Sequence, residues 1–139
     1  LRKRIATVLL AAAALAVVAL PVARAGNPHF VGDPTITREG DTLTATGKLA
    51  GLGNEEQVHV VLTADVQCVN PGNNEPRAEN KGAVIAEGDF PVQNGKALFS
   101  LSGVGTTDPD CSPPMTLVYS NVVVSVPNHG LTFTVSGTF

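Results

Sequence analysis

The chain has 139 residues, of which 43% are hydrophobic and only 4% aromatic, with no Trp and a formal net charge of −3. This length supports one domain with a core of its own. The acidic balance excludes nucleic acid and anionic membrane surfaces as partners, since both require a basic footprint.

The first residues, Leu1-Arg-Lys-Arg, are basic, and Ile5 to Pro21 carry no charge and are almost entirely Ala, Val and Leu. Val22-Ala-Arg-Ala25 follows. A charged start, a short apolar run and an Ala-x-Ala end are the three parts of a secretory signal peptide, so cleavage is predicted after Ala25. Residues 26–139 are then the single mature domain, secreted to the outside of a bacterial cell, with no membrane attachment once the signal is removed. Four of the nine Lys and Arg lie in the first 25 residues and none of the twelve Asp and Glu does, so the mature part has five basic and twelve acidic side chains, a net charge of −7.

Gly26 to Pro34 reads as an arm whose one large apolar residue is Phe30. Thr35 to Arg38 is a predicted strand, closed by a turn at Glu39-Gly40-Asp41. From Thr42 the alternation is strict, with Leu43, Ala45, Gly47 and Leu49 on one face and Thr42, Thr44, Thr46 and Lys48 on the other. After a Gly-rich connection, Val58, Val60, Leu62, Ala64, Val66 and Cys68 face inward on the clearest strand of the chain. His59, Val61, Thr63, Asp65 and Gln67 form its other face.

At Val69 the alternation stops, and the run to Gly82 is dominated by Asn, Pro, Gly and Glu, a composition with no repeating apolar face. Val84, Ala86, Gly88, Phe90 and Val92 are predicted to point inward on the next strand. Gln93-Asn94-Gly95 is a hairpin signal, because Asn-Gly tolerates the positive φ angles of a primed turn. Lys96 to Ser102 is the return strand, with Ala97, Phe99 and Leu101 inward, and Gly103 to Pro114 is a second long loop. Met115 to Val126 and Leu131 to Phe139 are the last two strands, joined by Pro127-Asn-His-Gly130.

No window of the mature part has the spacing of an amphipathic helix. Seven short, one-sided strands with regular turn signals predict an all-β fold, an antiparallel immunoglobulin-like β-sandwich. Cys68 and Cys111 are an even pair in an exported chain and predict one disulfide. Because Cys111 sits in a Pro-rich loop, the bond should tie a strand end to a neighbouring loop. Closing a loop of this size would stabilise the fold by up to ~4 kcal/mol in the chain-entropy model.

The histidines, His29, His59 and His129, lack the spacing of zinc ligands and read as surface residues. Asp65, Asn70, Asn73, Asn74, Glu75 and Asn80 offer oxygen ligands for calcium, but the order of an EF-hand loop is missing and the same residues turn the chain equally well. Acidic pairs such as Glu55-Glu56 and Asp108-Asp110 have no aromatic sugar platform beside them and read as solvated surface. With no nucleophile elbow and no free Cys, neither a catalytic residue nor a metal or other cofactor is expected.

Three resemblances add to this reading. Gly40 to Cys68, with its Thr-rich strand, Ala-Gly-Leu-Gly turn and strand ending in Cys, resembles the enediyne chromophore-carrying apoproteins of actinobacteria, which carry two disulfides where this chain can form one. That likeness implies an acidic seven-stranded sandwich carrying a small apolar molecule. Cys111-Ser-Pro-Pro-Met115-Thr-Leu-Val-Tyr119 and Asn128-His-Gly130 are similar to the reactive loop and chain end of exported bacterial subtilisin inhibitors, which implies inhibition through Met115. Cys68 to Lys81, Cys-Val-Asn-x-Gly-x-Asn-x-Pro-x-Ala-x-Asn-Lys, resembles a family of small exported actinobacterial proteins and implies no particular activity.

The function expected first is a non-catalytic extracellular binding or structural module, acting as a monomer on an extracellular partner or ligand. Loops 69–82 and 103–114 would carry recognition, since a rigid sandwich positions its loops for binding. Asn70, Asn73, Asn74, Glu75, Arg77, Asn80 and Lys81 are the candidate binding residues, fixed at their root by Cys68 and Cys111. A small-molecule carrier and a protease inhibitor are the alternatives.

Overall fold

A computed structural model describes residues 26–72 and 78–139. The predicted signal peptide and four candidate residues, Asn73, Asn74, Glu75 and Arg77, lie outside the described residues. The chain forms two antiparallel four-stranded sheets, the predicted β-sandwich. In the first, β3 (Thr42–Ala50) pairs with β6 (Ala97–Val104) along one side and with β1 (His29–Phe30) and β2 (Thr35–Glu39) along the other. In the second, the order is β5 (Glu79–Pro91), β4 (Gln57–Val69), β7 (Thr116–Val126) and β8 (Leu131–Val135).

Alternation explains the layering. Leu43, Ala45 and Leu49 of β3 meet Val58, Val60, Leu62, Ala64 and Val66 of β4, and Tyr119, Val122, Val124 and Val126 of β7 complete the core. Burying each of the larger aliphatic side chains contributes ~1.5–3 kcal/mol. One end is filled by a chain of rings: Phe30 lies 6.1 Å from Phe133 and 6.3 Å from Phe99, which lies 6.3 Å from Phe90. Phe99 stands opposite Gly47, where an added Cβ would come within 2.5 Å of its ring. Gly47 is the space into which that ring folds.

Three predicted boundaries are corrected. The arm contributes the two-residue strand β1, because Phe30 needs the core that β3 offers. The loop expected over 69–82 is shorter, since Val69 still belongs to β4 and β5 starts at Glu79. Asn80 and Lys81 are therefore strand residues, with Asn80 opposite Val66. Finally, the regular part of the last strand stops at Val135, and Phe139 rejoins β7 by reciprocal backbone bonds with Tyr119 of 2.7 and 2.8 Å.

The inward face predicted for β5 is also corrected at its start. Leu62 pairs with Ala86 and Thr63 with Val84, leaving Ile85 as the extra residue of a bulge. The bulge reverses parity, so Ile85 is buried and Val84 is 58% exposed.

Candidate binding site

The two sheets exchange chain at one end of the sandwich, where residues 105–115 leave β6 and cross to β7. Cys68, fully buried at the end of β4, is joined to Cys111 of this crossing, with their Cα atoms 5.5 Å apart. Thr107 sits beside the bond, its Oγ1 3.3 Å from Cys68 Sγ, and donates a 2.9 Å hydrogen bond to the Pro109 carbonyl. Asn80 adds a second tether from β5, donating through Nδ2 to the Thr106 carbonyl at 3.1 Å. The disulfide thus ties a strand end to a loop and does not run through the middle of the core.

Tyr119 anchors the start of the crossing. Its hydroxyl accepts from the Gly105 N–H at 2.8 Å and donates to the Asp41 carbonyl at 2.6 Å, so one buried side chain of β7 fixes both the crossing and the β2–β3 turn. Arg38 reinforces the corner. It bonds the Leu117, Phe139 and Gly40 carbonyls, pairs with Asp41 at 3.1 Å, and lies 5.3 Å from the Tyr119 ring centroid.

Between the crossing, the β2–β3 turn and the ends of β6 and β7 is an open cleft of about 460 Å³. Val104, Pro113, Met115 and Leu117 give it apolar walls, Thr106, Thr107 and Thr116 hydroxyls, and Asp41 and Asp110 carboxylates. Arg38 partly neutralises Asp41, while Asp110 has no ion-pair partner among the described residues. An apolar hollow with a few polar groups, in a volume of this range, is the usual form of a small-ligand pocket.

Of the candidate residues within the described chain, Asn80 alone bonds to this crossing. Asn70 lies in the turn after β4, and Lys81 is exposed, 3.8 Å from Glu79. Met115 is half-buried against the cleft, and its N–H closes a turn on the Ser112 carbonyl at 2.9 Å. Asp41, Val104 and Leu117 were not legible as site residues, because three separate segments bring them together. The small-residue run Gly103-Val-Gly105 was the available signal, since Gly105 leaves room for the Val66 and Tyr119 side chains.

Two titratable groups on the outer face of the second sheet have shifted pKa values. His59 donates through Nδ1–H to Asp89, its cross-strand partner, at 2.8 Å, and its Nε2 lies 3.7 Å from Glu87; the Asp89 hydrogen bond raises its pKa above the ordinary 6.5. Asp65 accepts from Asn121 Nδ2 and from the Gly82 N–H, both at 2.7 Å, and these bonds, Asn121 first, hold its pKa below the ordinary 3.8. Among the described residues no group of three or more His, Cys, Asp or Glu is placed to hold a metal ion.

Comparison of the chain with protein-family models, with curated proteins and with solved structures finds no match.

Proposed function

We propose that the chain is an exported, non-catalytic binding module that recognises its partner in the cleft at the β6–β7 crossing. The observation that carries this reading is a hollow of about 460 Å³ whose wall, a loop by sequence, is fastened covalently to the central strand β4. Fixing the loop in advance lowers the ordering cost of binding. The cleft's chemistry favours a cationic group on an apolar stem, as in a lysine side chain of a peptide. Its apolar walls would take the stem, and Asp110 at its edge would take the charge.

Amide NMR titration with a short lysine-containing peptide tests this. Shifts should appear at Thr106, Asp110, Cys111 and Leu117 and weaken in Asp110→Asn. A glutamate-containing peptide that shifts the same amides equally would end the proposal, as would shifts confined to other faces.

A further inference from the structure

The outer face of the first sheet is mostly hydroxyl, with Thr44 and Thr46 of β3 opposite Ser102 and Ser100 of β6. At the end of this face remote from the disulfide its character changes. Lys48 stands opposite Leu98. The Asn94-Gly95 turn, predicted to close a hairpin, instead carries the chain from β5 in one sheet to β6 in the other, with Gln93 and Lys96 as its one bridge, and it folds beside them to form a cleft of about 350 Å³ lined by Lys48, Pro91, Gln93, Lys96, Ala97 and Leu98. Val104 is six residue steps along β6 from Leu98, which places this cleft roughly 20 Å from the one at the crossing at ~3.4 Å per residue.

Three observations converge here. The described cations are four, and two are engaged: Arg38 with Asp41 and Lys81 with Glu79. Lys48 and Lys96 have no ion-pair partner among the described residues, although acidic side chains outnumber basic ones in the domain, and both line this one hollow. Beside them Leu98 is 72% exposed, the most exposed of the large hydrophobic residues among those described. The turn is also held in place. Asn94 and Gly95 have φ of 54° and 74°, Gln93 and Lys96 exchange backbone bonds of 2.8 and 3.0 Å, and the Gly95 carbonyl accepts from the Leu52 N–H at 2.9 Å.

Two unneutralised ammonium groups beside exposed hydrocarbon suit an anion with an apolar body. The acidic domain repels a polyanion, whose charges extend past the ~8 Å over which salt screens at physiological strength, and a nucleic acid would need many more phosphate contacts. A single acid group meets only the local field of the two lysines. We propose that this cleft binds a small monoanionic amphiphile, its acid group between Lys48 and Lys96 and its hydrocarbon on Leu98 and Pro91. The site is independent of the cleft at the crossing.

The test is calorimetric titration of the oxidised domain with octanoate, octanol and octylamine, with amide NMR to locate the contact. Octanoate should bind and shift Gln93, Lys96 and Leu98, with octanol and octylamine weaker by about tenfold or more. The double variant K48Q/K96Q should lower octanoate affinity by a similar factor, about tenfold, while leaving the melting temperature unchanged. Octanol binding as tightly as octanoate would overturn the proposal, and so would octanoate shifts confined to other residues or no octanoate binding at millimolar concentration.

Discussion

Asp65 occupies a place in β4 where both neighbouring strands carry an extra residue. On one side Ala64 pairs with Ala83 and Val66 with Asn80, so Lys81 and Gly82 face Asp65 alone; on the other, Asn121 and Val122 face Ala64 alone. Gly82 and Asn121 hold positive φ angles, 65° and 49°, and each donates a hydrogen bond to a different Asp65 oxygen. One carboxylate therefore fastens two bulges. Asp65→Ala should lower stability by about 1 kcal/mol, below the range for buried bonds to charged groups because these reach solvent. Folding lowers the Asp65 pKa, so its contribution is present above the ordinary value of 3.8 and is lost as pH falls below it. Urea titrations should accordingly find the gap between wild type and variant narrowing on acidification below that value. A gap of the same size at every pH would contradict this role. The sequence placed Asp65 on the outer face correctly and offered it as a calcium ligand. Nothing in its neighbours in the chain reveals Gly82 and Asn121, which arrive from other strands.

Among the elements, legibility follows how far the side chains themselves choose the strand. The inward set of β4, Val58 to Cys68 at alternate positions, is buried as predicted, because each residue has a sheet opposite to enter. The start of β5 was read as loop because Glu79-Asn-Lys-Gly has no apolar face. It is a strand because β4 is long and offers it backbone partners at Val66 and Gln67. Its parity failed for a related reason: two apolar residues, Val84 and Ile85, fit alternation equally well, and the bulge selects Ile85 for the core. The pairing of Cys68 with Cys111 was legible from their number and the expected export, and the crossing it holds has few apolar side chains to hold it otherwise. Removing the bond in C68S/C111S should cost up to about 4 kcal/mol, from the loop it closes. Chemical denaturation would show it as a lower midpoint, and an unchanged midpoint would mean that Tyr119 and Asn80 fix the crossing unaided.

At the scale of the whole molecule, the sandwich separates two ends of different chemistry. The fold class was legible because one-sided strands without helices have few ways to bury their apolar faces. The candidate site was legible only in part. The second loop, 103–114, contributes the cleft, whereas the described part of the first contributes Asn80 and a strand edge. What escaped the sequence is the convergence of Asp41, Val104 and Leu117, a property of topology and of Tyr119 joining a turn to a crossing. Recognition at this crossing remains the proposed role of the fold. The most direct measurement is an amide NMR screen of the oxidised domain against cationic, neutral and anionic fragments. The cationic fragments are predicted to cluster on Thr106, Asp110, Met115 and Leu117; cationic fragments scattered over the outer faces of the sheets, with the crossing silent, would contradict it.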